Sequence, residues 1–388
     1  MPERDLLMIP GPVMCHPAVL RALSRPVMGH VTPEFINIFG ETLERLQEVL
    51  KGEKSQAVVV AGSGTLAMDM TAASLLEPGD KVVVLNTGVF GDRFAAICER
   101  YGAEITTLQA ELGDVVPSEE MEKALQQGKY KLLTVTHVDT STGVIMDIEA
   151  VARLAAKHGV LSVVDGICAA AGAEVRFDEW GIDVYVTASQ KALGVPPGLA
   201  ILMVGSRALT AYEARRTPVT NYFADLGNWL PIMRAYQGRE RAYFATPAVN
   251  LICALHVSLE LILAEGLENC YRRHELFSQA FKAGMTALDL QLVPVNLQVA
   301  APTLTAIYYP DGVDADLLTK IRERGVTVTG GIHPQIRDRY FRVGHMGAIT
   351  ANDLLATIGA IEGALHASYY EFDLGAGLAA AQERLAGA

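Results

Sequence analysis

Short, nearly unbroken apolar runs, such as VVVL at 82–85, VLSVV at 160–164 and AILMV at 200–204, alternate along this chain with longer amphipathic stretches. A strand that is apolar on every residue has no face to offer water, so it must be covered on both sides. Among sheet architectures, a mostly parallel sheet with helices on each face provides that cover. The rhythm therefore predicts an α/β chain. Strands are expected at 57–60, 81–85, 105–108, 131–136, 160–164, 184–187 and 199–203, with helices such as 65–76 and 147–158 between them.

From 217 to 247 the pattern becomes irregular, with Pro218, Asn221, Gly227, Pro231 and Gly238, before helical periodicity resumes near 249 and again over 267–290. With 388 residues there is room for two units. We expect an N-terminal arm at 1–20, a large domain at 21–265 and a smaller C-terminal α+β domain at 266–388. The latter should hold strands at 305–309, 326–329 and 340–343, and helices at 315–324 and 352–366. Forty-four acidic residues against 32 basic ones give a formal charge of −12, with no Lys/Arg run to meet a nucleic-acid backbone or an anionic membrane. The most apolar helical stretch, 251–263, carries His256 and Glu260 and is too short to span a bilayer. Five cysteines without a C-x-x-C pair suggest neither a disulfide framework nor a zinc site. The N-terminus, with Glu3, Arg4 and Asp5 ahead of Pro10-Gly11-Pro12, does not read as a signal peptide, so a cytoplasmic location is expected.

Three features bear on chemistry. Gly62-Ser63-Gly64-Thr65 follows the first expected strand and opens a helix, where backbone N–H groups and two hydroxyls can cradle a phosphate; a tight structural turn is the competing reading. Asp165 closes the apolar strand at 160–164, at the edge where parallel sheets bind ligands, though a carboxylate there also caps whatever follows. Lys191, in TASQKALGVPPG, has no charged neighbour within seven residues on either side. A lysine set among small apolar residues is a candidate for the lowered pKa that covalent amine chemistry needs.

Other chemistries fit less well. Gly62-x-Gly64-x-x-Ala67 satisfies the dinucleotide pattern and keeps a nicotinamide-linked oxidoreductase open, but the next strand ends in Asn86-Thr87-Gly88 with no acid to hold a ribose. The sequence lacks G-x-S-x-G, G-K-[ST] and H-E-x-x-H, which sets aside a serine hydrolase, a P-loop NTPase and a zinc hydrolase. A phosphate loop, a carboxylate and a lysine on successive strand ends are together the parts that bind pyridoxal 5′-phosphate.

With those parts in place, the chain resembles the class V aminotransferases of fold type I, in particular the alanine/serine–glyoxylate or pyruvate branch. The matching segments are PGP with HPAVLRAL, GSGTLAM, NTGVFGDR, STGV, VVDGICAAAG, SQKALGVPPG, TPAVNL and RVGHMG. The resemblance implies a mostly parallel central sheet in a large pyridoxal-phosphate-binding domain plus the smaller C-terminal domain. It implies that Ser63, Gly64, Thr65 and Gln190 hold the cofactor phosphate together with Tyr243 and Thr246 of a second subunit, hence a homodimer with shared sites. It further implies that Phe90 stacks on the pyridine, where many relatives carry Trp, and that Ile167 packs on the opposite face. Thr140 would bond the cofactor O3′, Asp165 would pair with the pyridine nitrogen, and Lys191 would form the covalent link and move the proton. Arg342 would clamp the substrate carboxylate, with backbone near Gly11 lining the pocket.

The activity so implied is transfer of an amino group from alanine or serine to glyoxylate or pyruvate. Alternatives are a pyridoxamine–pyruvate aminotransferase, whose phosphate loop is non-standard whereas this chain keeps GSGT, or a class V enzyme using aspartate, 2-aminoethylphosphonate or ureidoglycine. Arg215, Arg216, Arg337 and Arg339 are the side chains that would have to serve a dicarboxylate. Desulfuration is set aside because no cysteine lies beyond Cys270. A non-catalytic subunit of the same fold is the remaining reading, and the presence of Lys191, Asp165 and Arg342 counts against it.

Overall fold

The computed structural model describes residues 6–387, so the first five residues of the expected arm, Glu3, Arg4 and Asp5 among them, lie outside the described part. Its centre is a seven-stranded sheet. Across it run Gln56–Ala61, Leu199–Val204, Val184–Ala188, Leu161–Asp165, Leu132–Thr136, Lys81–Asn86 and Glu104–Gln109. Leu199–Val204 is antiparallel to both neighbours and the other pairings are parallel. The six strands from Gln56–Ala61 to Lys81–Asn86 across this order are buried almost throughout, as their apolar runs require. Glu104–Gln109 is the exception: none of its residues is buried, and it forms an edge.

Chain order and spatial order part company at Lys81–Asn86. From there the chain first steps outward to Glu104–Gln109 and then returns to the other side at Leu132–Thr136. Ligands of open α/β sheets bind beyond the carboxyl ends of the strands, where such a reversal parts the connections. The loops after Ala61, Asn86, Thr136, Asp165 and Ala188 all leave from that edge. Gly62, donating to Gly198 O at 2.9 Å, brings the turn before the antiparallel strand to it as well.

A second apolar cluster is built by the helices Leu267–Ala287 and Ala351–His366 with the strands Leu304–Tyr308 and Tyr340–Gly344. Helices Val249–Glu265 and Leu267–Ala287 meet at Gly266 with an 87° bend, within the stretch where the two units were expected to join. By length and composition no single described helix is long and apolar enough to cross a membrane.

Two expectations need correcting. The irregular segment 217–247 contains a helix, Leu226–Gln237, capped by Asp225 and carrying Pro231 inside it. Buried Leu226, Trp229, Leu230, Met233 and Tyr236 recur at helical spacing, and that packing outweighs the proline's local cost. The strand expected at 326–329 is two short ones. Val326–Thr327 pairs in parallel with Leu6–Leu7, whereas Thr329–Gly330 pairs antiparallel with Tyr340–Gly344, so the chain changes partner at Val328.

Candidate active site

Ser63 sits in extended conformation at the N-cap of helix Gly64–Leu75 and makes no capping bond with its own side chain. The hydroxyl and the first N–H groups of the helix are thus free of the usual mutual bond and face the strand edge. Gly64 is required there: a Cβ would come within 2.8 Å of Ile167 Cγ1. Thr65 is exposed, and Gln190 carries an amide oxygen with no partner among the described residues.

Asp165 ends its strand fully enclosed. Its Oδ1 accepts from Ile167 N–H at 3.0 Å, the bond that the capping alternative requires, but turns follow rather than a helix. Burial pushes the carboxyl up to about 7; the Ile167 bond opposes this, the charge of Asp139 adds to it, and Arg93 and Lys191 pull it back. A carboxylate held this way, without an ion pair, is poised to accept a cationic N–H.

Lys191 follows the strand Val184–Ala188 and is partly buried, its Nζ donating to Pro10 O. Burial lowers its pKa; Arg342 lowers it further, while Cys168 and Asp165 oppose. The N-terminal segment is laid across it: Met8 bridges two strands of the C-terminal unit, its N–H donating to Thr327 O and its carbonyl accepting from Gly344 N–H, both at 2.9 Å. Gly11 then takes φ +96°, and a Cβ there would stand 2.7 Å from Lys191 Nζ. Gly11, expected to line the substrate pocket, thus lies against Lys191.

Arg342 lies on the central strand of the small three-stranded sheet and is buried. Its Nε donates to Gly330 O at 3.0 Å and one terminal nitrogen to Thr140 O at 3.1 Å. No carboxylate pairs with it among the described residues, and burial lowers its pKa. Five N–H donors less two leaves three, enough for both oxygens of a carboxylate. The other arginines are engaged elsewhere: Arg215 on the carbonyls of Ser74 and Leu76, Arg337 beside Asp338, and Arg339 over the Tyr308 ring. Arg216 donates its backbone N–H to Glu77.

Thr140 is buried and Phe90 partly so, and one residue the sequence reading passed over joins them. Asp139 Oδ1 accepts from Ser141 N–H at 2.8 Å and from the Ser141 hydroxyl, while Ser141 Oγ accepts from Val89 N–H at 3.0 Å. Its signal was the acid in VDTSTG, hidden inside what reads as an ordinary turn. Tyr243 and Thr246 are not drawn in. Both are exposed, and the Tyr243 ring lies 5.3 Å from that of His30.

The sequence profile of the aminotransferase class-V family matches residues 20–346. Alanine–glyoxylate aminotransferase 1 of Saccharomyces cerevisiae is 40% identical over 362 residues, 90% of this chain and 93% of that one. L-aspartate–glyoxylate aminotransferase of Paracoccus denitrificans is 34% identical over 99% of this chain and 96% of its own. Among solved structures, an alanine–glyoxylate aminotransferase from Nostoc sp. superposes with a TM-score of 0.88 at 34% identity, over 94% of this chain and 96% of that one.

Proposed function

The chain belongs to the class V aminotransferases and has their fold type I architecture, and on that premise we propose that it binds pyridoxal 5′-phosphate and moves an amino group from alanine or serine to glyoxylate or pyruvate. The residues at the strand edge fit the cofactor. An uncapped helix N-terminus with two hydroxyls suits the phosphate, and a buried carboxylate with no ion-pair partner among the described residues suits a protonated ring nitrogen. When bound, the cofactor supplies the aldehyde that carries the amino group and the electron sink at the reacting carbon. Lys191 would form the covalent link and, once displaced by substrate, take the Cα proton with an amine that burial keeps more in its neutral, proton-accepting form. Phe90 and Ile167 would enclose the ring, with Thr140 at its O3′.

The observation that carries the substrate class is Arg342, a buried guanidinium with three N–H groups to spare and no acid beside it. It would bind the α-carboxylate and fix the Cα–H toward Lys191. Arg215, Arg337 and Arg339 are engaged elsewhere, which favours a small neutral donor over aspartate. We read the enzyme as a cytoplasmic homodimer in which Tyr243 and Thr246 of the partner subunit close the phosphate cup, since both point into solvent in one chain. The test is a donor panel on the purified holoenzyme with glyoxylate as acceptor, following the 2-oxo acid produced. Alanine or serine should exceed aspartate by at least about a hundredfold in kcat/KM; a preference for aspartate overturns the substrate reading, and turnover of free pyridoxamine with pyruvate alone overturns it differently, in favour of vitamer transamination.

A further inference from the structure

The phosphate cup as assembled from Ser63, Gly64, Thr65, Gln190, Tyr243 and Thr246 contains no cationic side chain. A phosphate monoester carries about −1.5 to −2 charges at pH 7. The N-terminus of helix Gly64–Leu75 offers only about half a positive charge. About 1 to 1.5 units of charge are left to be met.

Arg93 stands where that charge is missing. It lies one turn after Phe90 in helix Val89–Arg100, so the two side chains share a face. Its guanidinium carbon is 4.8 Å from the centre of the Phe90 ring, and one terminal nitrogen is 3.4 Å from Thr65 Oγ1. No carboxylate pairs with it among the described residues. The aromatic face holds the guanidinium without consuming its charge, which an acid in the same place would do. The same charge is felt at Asp165, where it opposes the effect of burial. Arg93 is thus within electrostatic reach of both ends of the cofactor site.

We propose that Arg93 is a further cofactor-binding residue, the guanidinium that neutralises the 5′-phosphate at the Ser63–Thr65 helix N-terminus. This rests on the pyridoxal phosphate reading above. Arg93 adds charge-assisted bonds to the phosphate and reaches the ring only through its charge on Asp165, so it discriminates the phosphorylated cofactor from the free vitamer.

The test is a titration of the cofactor-free dimer with pyridoxal phosphate and, separately, with unphosphorylated pyridoxal, for wild type, Arg93→Gln and Arg93→Lys. Arg93→Gln should weaken pyridoxal phosphate binding about ten- to a hundredfold, the range for one lost bond to a charged group, and leave pyridoxal within about twofold. The loss should shrink as salt is raised, because Arg93 is exposed, and Arg93→Lys should restore part of the affinity. Equal losses for the two vitamers would show that Arg93 acts through Phe90 or the fold, and no loss for either would show that it is idle; both overturn the proposal. Wild type binding neither compound would overturn the cofactor reading, and this proposal with it.

Discussion

Replacing Arg342 by Leu separates carboxylate binding from folding. In the chain as it stands, two of the five guanidinium N–H groups are used on Gly330 O and Thr140 O, and three are free. A bidentate grip on a substrate carboxylate uses two of these. At about 1.5–3 kcal/mol for each charge-assisted bond, its loss corresponds to about 3–6 kcal/mol, or a fall in kcat/KM of about 10²–10⁴ for alanine. Stability should change less, because two effects oppose. The variant loses two bonds to carbonyl oxygens, about 1–3 kcal/mol each if the acceptors stay dry, but it is relieved of a buried charge that no carboxylate balances. Steady-state kinetics and urea unfolding on the same preparations give both numbers. Retention of kcat/KM within about tenfold would place the substrate carboxylate elsewhere and refute the reasoning. Because the clamp acts on the carboxylate, an amine donor without one should be indifferent to the substitution.

Asp165→Asn should show its effect in the pH profile of the cofactor-free protein. The folded carboxyl is raised from 3.8 to about 7, so the folded state holds the extra proton and wild-type stability falls as pH rises between about 4 and 7, by at most about 4 kcal/mol. The Asn variant lacks that slope, so the urea midpoints should diverge in its favour from pH 5 to pH 8; a constant difference contradicts the assignment. Gly11→Ala forces a side chain against Lys191 at φ +96°, and we expect about a tenfold or larger loss of kcat with the fold intact, checked by kinetics and circular dichroism. Lys191→Ala should lower turnover by about 10⁴ or more, since it removes both the covalent link and the proton carrier; residual activity above that level contradicts its role.

How much of this was legible in the sequence follows from how local each signal is. Lys191 stands out because its neighbours are small and uncharged, and Asp165 because it interrupts an apolar run at its end. The parallel sheet follows from strands that are apolar on both faces. Arg342 is different: in sequence it is one of three arginines within six residues, and only the fold turns it inward while Arg337 remains outside beside Asp338. Asp139 and Arg93 carry no signal of their own in the sequence, because what they meet lies far along the chain: Val89, held through Ser141, for the first and Thr65 for the second. The helix Leu226–Gln237 was obscured by Gly227, Pro231 and Gly238, whose local preferences lose to five buried side chains.

The account turns on Lys191 as the residue that carries the cofactor. The most direct measurement is to load the purified protein with pyridoxal phosphate, record the visible band near about 420 nm, reduce with borohydride and map the modified residue by mass spectrometry. The account predicts a band that bleaches with alanine before reduction, and a reduced adduct on the peptide containing Ser189-Gln190-Lys191, absent in Lys191→Ala. An adduct on Lys282 or another lysine, or no adduct from a protein that nonetheless transaminates, would contradict it.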